Sequence, residues 1–214
     1  MPDIVRTRLV NPNSVTLTLV LSALAVAVNV LGGTAVGLLH IPFLFLDTLG
    51  TFFIAASFGI RWGVLVGVLT NVILGVTTSP TNIPFAIVNA VVAIIVGLLA
   101  NKWGYKLWVA IVAGITVGIV APVIGSVIAV YVFGGLTGGG IDVFVLGLRQ
   151  AGSSIFVSAF LPRLGENLID KILTSLIVYA VLRAIPPVLI KPRRREPVTQ
   201  SAEALVSSTP NPVA

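Results

Sequence analysis

The sequence predicts an all-α membrane protein with six transmembrane helices and one re-entrant or interfacial segment before the sixth. Its 214 residues are 57% hydrophobic and only 9% charged, and the mean hydropathy is +1.09. Soluble domains carry charge at about a quarter of their positions, so this composition excludes an ordinary soluble domain. Uncharged apolar runs long enough to cross a bilayer recur along the chain, separated by glycine, proline and basic residues.

The rare residue types exclude several kinds of site. The chain has no cysteine, which excludes disulfides and cysteine-ligated metals. His40 is the one histidine, so we expect neither a histidine-rich metal site nor a cofactor. The net charge of +6 comes from short loops and the tail, a distribution typical of the positive-inside rule and not of a nucleic-acid partner.

The first helix is predicted at residues 14–31, after a short cytoplasmic segment at 1–13. No small-residue cleavage site follows it, so we expect a retained helix and not a leader. The pair Gly32-Gly33 is predicted to end this helix. Ala23 and Ala27 stand four positions apart in it, a spacing that lets a second helix approach closely.

The middle of the chain contains three further predicted helices, at 44–58, 62–76 and 83–100. A tight turn joins the first two of them. A loop at 77–84, rich in proline and hydroxyl residues, precedes the third.

The last two helices are predicted at 107–133 and 162–185, and a glycine-rich loop at 134–140 follows the first of them. Segment 141–160 is apolar but interrupted by charged residues, so we expect it to lie across one membrane face or to dip into it. The predicted domains are a segment at 1–13, a membrane domain at 14–186 and a basic, then disordered, cytoplasmic tail at 187–214.

The basic residues predict the orientation of the chain in a cell membrane. On the six-helix topology, ten of the 13 lysines and arginines lie on the side of the two termini. The other three are Arg149, Arg163 and Lys171. The positive-inside rule therefore predicts a multi-pass protein with both termini cytoplasmic. We find no internal repeat, which disfavours an inverted-repeat transporter.

Charged and polar residues open the sixth predicted helix. Arg163, Glu166, Asn167 and Asp170 fall within an arc of about 100° at helical periodicity, and Lys171 borders it. Such a face in a membrane helix usually lines a bundle interior or a watery cavity. The alternative is a solvated helix start with acids at the positive end of the helix dipole, and both interpretations remain open.

Other polar residues occupy the same half of the predicted bundle. Asp47 is expected in the first turn of helix two, Asn71 near the outer end of helix three, and Asn82 and Asn89 on one face of helix four. The alternatives are a helix-start acid for Asp47, a helix cap for Asn82 and an interhelical hydrogen bond for Asn89. The residues predicted to line one binding cavity are Asp47, Thr51, Asn71, Asn82, Asn89, Arg149, Glu166, Asn167, Asp170 and Lys171.

The sequence disfavours an enzyme. Ser153 and Ser154 lack a nearby base, because His40 is distant in sequence and has no supporting motif. We therefore expect no intramembrane hydrolase activity. The phosphate-binding pattern G-x-x-x-x-G-K-[ST] is absent, so the chain is not expected to hydrolyse ATP alone.

Five stretches together resemble the substrate-binding S component of energy-coupling factor (ECF) transporters, over residues 14–186. They are LDTLGTFFIAASFG followed by IRWGVLVGVLTN, then SPTNIPFAIVNA, YVFGGLTGGGIDVF and ENLIDKILTSLIVYAVL. The resemblance implies a six-helix subunit that captures a vitamin or its precursor from outside. It also implies a membrane coupling subunit and two cytoplasmic ATPases as partners.

The resemblance assigns roles to particular segments. Ala23 and Ala27 would form the docking surface for the coupling subunit, and the loops at 32–43 and 77–84 would close over the substrate. Pyridoxine-like or thiamine-like compounds suit the predicted carboxylates and amides. The alternative function is a structural membrane scaffold that binds no metabolite.

Overall fold

The computed structural model describes residues 15–39 and 44–185, which form seven α-helices and no β-strand. In chain order the helices are α1 (Val15–Leu39), α2 (Leu49–Phe58), α3 (Ile60–Thr77), α4 (Ala86–Trp103), α5 (Leu107–Phe133), α6 (Asp142–Gln150) and α7 (Ile155–Ala184). A 3-10 turn, Pro80–Asn82, separates α3 from α4. The predicted all-α class is confirmed.

Four of the described helices, α1, α3, α4 and α5, are long and apolar enough to cross a membrane. The helix α2 has only ten residues. The helix α7 has 30 residues but carries five charged side chains. The multi-pass character follows from the four apolar helices, and the count of six spans stays a prediction.

The first helix is longer than the sequence predicts, because α1 continues through Gly32 and Gly33 to Leu39. These glycines do not end the helix; they make room for the chain that follows. A Cβ atom on Gly32 would lie 2.6 Å from the carbonyl oxygen of Leu46. The predicted loop at 32–43 is therefore helical up to Leu39, and His40 lies outside the described residues.

The segment 44–48, called here the α2 leader, is not helical, so α2 begins five residues later than predicted. Leu46 has a φ of 53°, in the left-handed region that residues with a side chain rarely adopt. Asp47 consequently precedes α2, and the first turn of α2 contains no acidic residue. The helix-start interpretation of Asp47 is wrong for this reason.

The ambiguous stretch 141–160 contains the short helix α6, a bend, and the first turns of α7. The helix α7 begins at Ile155 and not at 162, and the Ser154 hydroxyl caps it by accepting a hydrogen bond from the Val157 amide. Val143 and Phe144 of α6 are exposed. An interfacial or re-entrant position for this stretch stays a prediction.

Helices α5 and α7 pack side by side in opposite directions. A Cβ atom on Gly114 would lie 2.7 Å from the Cα of Ile172, and one on Gly118 would lie 3.1 Å from the Cα of Leu168. Only glycine permits this separation of the two backbones. Farther along, the Ser126 hydroxyl donates to the carbonyl oxygen of Ala159.

Helices α3 and α4 are also antiparallel, since Gly97 of α4 approaches Ile60 and Gly75 of α3 approaches Ile83. The ends of α3 and α5, the start of α4 and the first turns of α7 thus lie at one end of the bundle, called here the cavity end. The buried apolar core fills the space among α2, α4, α5 and α7. Its residues include Phe52, Val92, Val96, Val117 and Val178.

Candidate functional site

A cavity of about 690 Å³ occupies the cavity end of the bundle. Its walls come from α1, α3, α4, α5 and α7, the α2 leader, and the two loops at 77–82 and 137–141. Small-molecule sites commonly enclose about 300–1,000 Å³, so this volume suits one metabolite. The apolar side chains of its lining include Leu74, Phe85, Val88, Val92 and Pro122.

The structure brings seven of the ten predicted site residues to this cavity. They are Asp47, Asn71, Asn82, Asn89, Glu166, Asn167 and Lys171. Whether each of them contacts a substrate stays a prediction. Thr48 and Arg163 line the cavity as well, although the predicted set omits them.

Thr51 does not reach the cavity, because it belongs to a hydrogen-bond network between helices. It is fully buried. Asn29 of α1 donates from Nδ2 to the hydroxyls of Thr51 and Thr70, at 3.0 Å each. The Asn29 Oδ1 atom accepts from the backbone amide of Gly50 at 2.6 Å. The Asn29 side-chain amide thus connects α1, α2 and α3, and the Thr51 hydroxyl already has its hydrogen-bond partner within the protein.

Arg149 and Asp170 also lie away from the cavity. Arg149 is exposed on α6. Asp170 is fully buried behind the cavity wall. Its Oδ1 accepts from the backbone amides of Phe45 and Leu46 at 2.9 and 3.1 Å. Asp170 therefore holds the α2 leader in place, which explains how Leu46 is kept at its positive φ.

Lys171 connects α7 to the α2 leader from the cavity side. Its Nζ donates to Asp170 Oδ2 at 2.6 Å and to the Thr48 hydroxyl at 2.9 Å. Asp47 Oδ1 lies 3.5 Å away, and the ring of Phe45 lies 5.5 Å from the ammonium. Burial raises the pKa of the Asp47 carboxyl, and the neighbouring Lys171 ammonium opposes this shift.

Three asparagines join α3, the 3-10 turn and α4. Asn71 Nδ2 donates to the backbone carbonyl of Asn82 at 3.1 Å, and Asn89 Nδ2 donates to Asn71 Oδ1 at 2.8 Å. The interhelical bond expected as the alternative for Asn89 is present. The helix-cap alternative for Asn82 is wrong, because α4 begins at Ala86 and the Asn82 amide donates to the carbonyl of Ser79.

The loop at 134–140 contributes to the cavity lining, and hydrogen bonds at Thr137 hold it in place. Arg163 Nη2 donates to the Thr137 hydroxyl at 3.2 Å and lies 3.8 Å from Asp142 Oδ1. Asp142 Oδ2 accepts from the backbone amides of Thr137 and Gly138. The Thr81 hydroxyl reaches the Thr137 carbonyl at 3.3 Å, so the two loops over the cavity touch.

Glu166 differs from the other ionisable residues that line the cavity, which are Asp47, Arg163 and Lys171. It is only 3% exposed and lines the cavity, yet its Oε2 has no hydrogen-bond partner among the described residues. It lies eleven residues, about three turns, inside α7. The interpretation of these acids as a solvated helix start is therefore wrong.

A family model matches this chain over residues 17–182, under the description "ECF transporter, substrate-specific component". The chain belongs to this family. The match includes all seven described helices except the first two residues of α1 and the last two of α7. No curated protein and no solved structure matches the chain.

As an ECF S component, the protein is the substrate-specific subunit of a membrane importer and belongs to a transporter class, not to an enzyme class. The resemblance inferred from the five sequence stretches is confirmed. A polar cavity walled by several helices is the feature such a subunit needs. The choice of substrate, the side from which it enters and the docking surface go beyond the family assignment.

The predicted set of site residues leaves out Thr48, Arg163 and the glycine-rich loop, all of which line the cavity of this S component. Arg163 shares the polar face of α7 with Glu166, which was the available signal. Thr48 and Thr137 carry no such signal, because their positions depend on contacts with α7 from distant parts of the chain.

Proposed function

We propose that this S component captures a small, polar, partly aromatic metabolite of vitamin type in the cavity, from the extracytoplasmic side. The observation that carries the proposal is a cavity of about 690 Å³ whose lining combines polar and charged side chains with apolar ones. Such a combination suits a flat ring with polar substituents. Pyridoxine-like and thiamine-like compounds are of this kind.

The distribution of basic residues supports the extracytoplasmic placement of the cavity. Arg61, Lys102, Lys106 and Arg183 lie at the helix ends opposite the cavity. A basic end faces the cytoplasm under the positive-inside rule. The cavity would then open toward the outside, where a substrate arrives.

The exposed face of α1 supports docking on a membrane coupling subunit that carries two ATPases. Ala23 and Ala27 are exposed, whereas Ala25 and Val26, on the other side of the helix, are buried in the bundle. Small residues on an outward face allow a second helix to approach closely. These two alanines are therefore accessible to a partner helix and do not pack inside the bundle.

A cavity-filling variant tests the capture function against the scaffold alternative. Gly125 lines the cavity, and a Cβ atom there would meet nothing closer than 3.5 Å. Gly125→Leu should therefore fold and place a bulky side chain inside the cavity. We expect wild-type protein to show a melting temperature that rises with the concentration of one vitamin in a panel, and Gly125→Leu to lose that response.

Gly147→Leu is the matched control, because Gly147 lies on α6 outside the cavity with nothing within 4 Å of a Cβ atom. It should respond to the vitamin as wild type does. A folded wild-type protein that responds to no vitamin in the panel would favour the scaffold. A response that Gly125→Leu retains would move the binding site away from this cavity.

A further inference from the structure

The acidic residues of the described chain all gather at the cavity. Residues 15–39 and 44–185 contain four of them, Asp47, Asp142, Glu166 and Asp170. Asp47 and Glu166 line the cavity, and the other two contact cationic residues that line it. The rest of the described bundle contains no carboxyl side chain, so this concentration of negative charge belongs to the site.

Among the residues that the structure describes, two cationic side chains contact these carboxyl groups, and both have partners. Lys171 contacts Asp170 at 2.6 Å and Asp47 at 3.5 Å. Arg163 lies 3.8 Å from Asp142, and its other contacts are with the Ala159 carbonyl and the Thr137 hydroxyl. Neither forms an ion pair with Glu166 within the described part of the chain. The site thus has more carboxyl groups than cations.

Glu166 is the carboxyl group that pairs with neither of these two cations. Its Oε2 is buried without a partner in the described structure, in a side chain that lines the cavity. An ionised carboxylate that is buried without a partner is strongly unfavourable, and such a group stays protonated unless a counter-ion reaches it. A cation that enters the cavity would remove this penalty and gain a charge-assisted hydrogen bond.

We propose that the substrate is an organic cation whose charged nitrogen binds the Glu166 carboxylate. This inference rests on the proposed capture function and narrows its substrate class. The apolar side chains of Phe85, Val88 and Val92 line the same cavity and would pack against the ring that bears the nitrogen. A bare metal ion fits less well, since the described residues contain no group of three or more His, Cys, Asp or Glu side chains that could hold one.

Pairs of compounds that differ mainly in charge provide the test. Pyridoxamine carries an ammonium where pyridoxine carries a hydroxyl, and 1-methylnicotinamide, methylated on the ring nitrogen, is the cationic counterpart of nicotinamide. Thiamine adds a larger cation, riboflavin a larger neutral compound, and pantothenate and biotin add anions. Equilibrium binding to the full-length purified protein is measured for each compound. The tightest ligand is expected to be a cation.

Glu166→Gln keeps the shape of the side chain and removes the charge. We expect it to fold and to weaken the cationic ligand about tenfold or more, the effect of losing a charged hydrogen bond. Arg149→Gln is the control, because Arg149 is exposed on α6 and lies outside the cavity. It should leave the affinity unchanged.

The outcomes separate this inference from the proposed function. A neutral or anionic ligand that Gly125→Leu abolishes would overturn the cation inference and leave metabolite capture intact. A cationic ligand whose affinity Glu166→Gln leaves unchanged would also overturn it. If no compound binds to the folded protein, the capture function and the inference fall together.

Discussion

The Lys171 ammonium donates a hydrogen bond to the Thr48 hydroxyl at 2.9 Å across 123 positions of sequence. It joins α7 to the α2 leader at the cavity wall. Asp170, the preceding residue, bonds the backbone amides of Phe45 and Leu46 from behind the wall. Two adjacent residues of α7 therefore position both faces of the α2 leader, and with it Asp47.

The first prediction concerns the buried pair of Asp170 and Lys171. Lys171→Met should destabilise the protein by about 3–5 kcal/mol, because it leaves Asp170 buried without a counter-ion. Thermal unfolding of the purified protein measures the loss. Lys102→Met, at an exposed lysine, is the control. The double variant Asp170→Asn, Lys171→Met should recover part of the stability; no recovery would mean that the charge pair is not the cause.

The second prediction concerns the network around Asn29. Asn29→Leu should lower stability by about 2–3 kcal/mol, since it leaves the Gly50 amide and two threonine hydroxyls buried without this partner. Ligand affinity should stay the same, because Asn29 does not line the cavity. Asn101→Leu, at an exposed position, should have little effect. A large loss of affinity in folded Asn29→Leu would place this network within the binding site.

The third prediction compares two glycines of α1. Gly32→Ala should destabilise the protein and disturb ligand binding, because its Cβ would lie 2.6 Å from the Leu46 carbonyl and displace the α2 leader. Gly37→Ala should stabilise by about 0.5–1 kcal/mol, since no atom of the described residues lies within 4 Å of the added Cβ and alanine favours a helix. Melting temperatures of both variants check this. Equal effects would contradict the contact with Leu46.

The fourth prediction concerns docking through α1. Ala23→Trp and Ala27→Trp should prevent co-purification with the coupling subunit and leave ligand affinity unchanged, because both positions are exposed. Leu98→Trp, at an exposed position of α4, should still co-purify. If the α1 variants also lost ligand binding or failed to fold, the two alanines would serve the internal packing of the subunit.

The fifth prediction concerns alkaline pH. Tyr105, in the connection between α4 and α5, bonds the Ser175 hydroxyl at 2.6 Å, and burial raises its pKa from 10.0 to about 12. The folded state thus binds the phenol proton more tightly than the unfolded state does. Stability should therefore fall as pH rises from about 10 to about 12. Ultraviolet titration of wild type and Tyr105→Phe checks this; an ordinary tyrosine titration would contradict it.

The helices could largely be predicted from the sequence, and their ends could not. Composition alone identifies the long apolar runs of α3, α4 and α5 as helices that could cross a membrane. The boundary at Gly32 was wrong because glycine serves close packing against Leu46 there and not helix termination. The start of α2 was wrong because Asp170 pulls the backbone at Phe45 and Leu46 out of the helix.

The sequence predicted which half of the molecule contains the candidate site, but it did not predict the contacts that form the site. The polar face of α7 and the asparagines of α3 and α4 were visible as polar residues in apolar runs. Thr51 is also a polar residue in an apolar run, yet its hydroxyl accepts a hydrogen bond from Asn29 and does not reach the cavity. A polar residue in a membrane helix thus indicates that a partner exists, and the sequence does not tell whether that partner is a helix or a ligand.

The membrane class, the long apolar helices and the family follow from the chain alone, because hydrophobic composition and local motifs are properties of short stretches. Which polar groups find partners within the protein and which face the cavity depends on how the helices pack. Asp170 and Glu166 stand four residues apart on one helix; the first finds its partners 125 positions away at Phe45, and the second has none for Oε2 in the described structure. Hydrogen-bond partners so distant in sequence meet only when the helices pack.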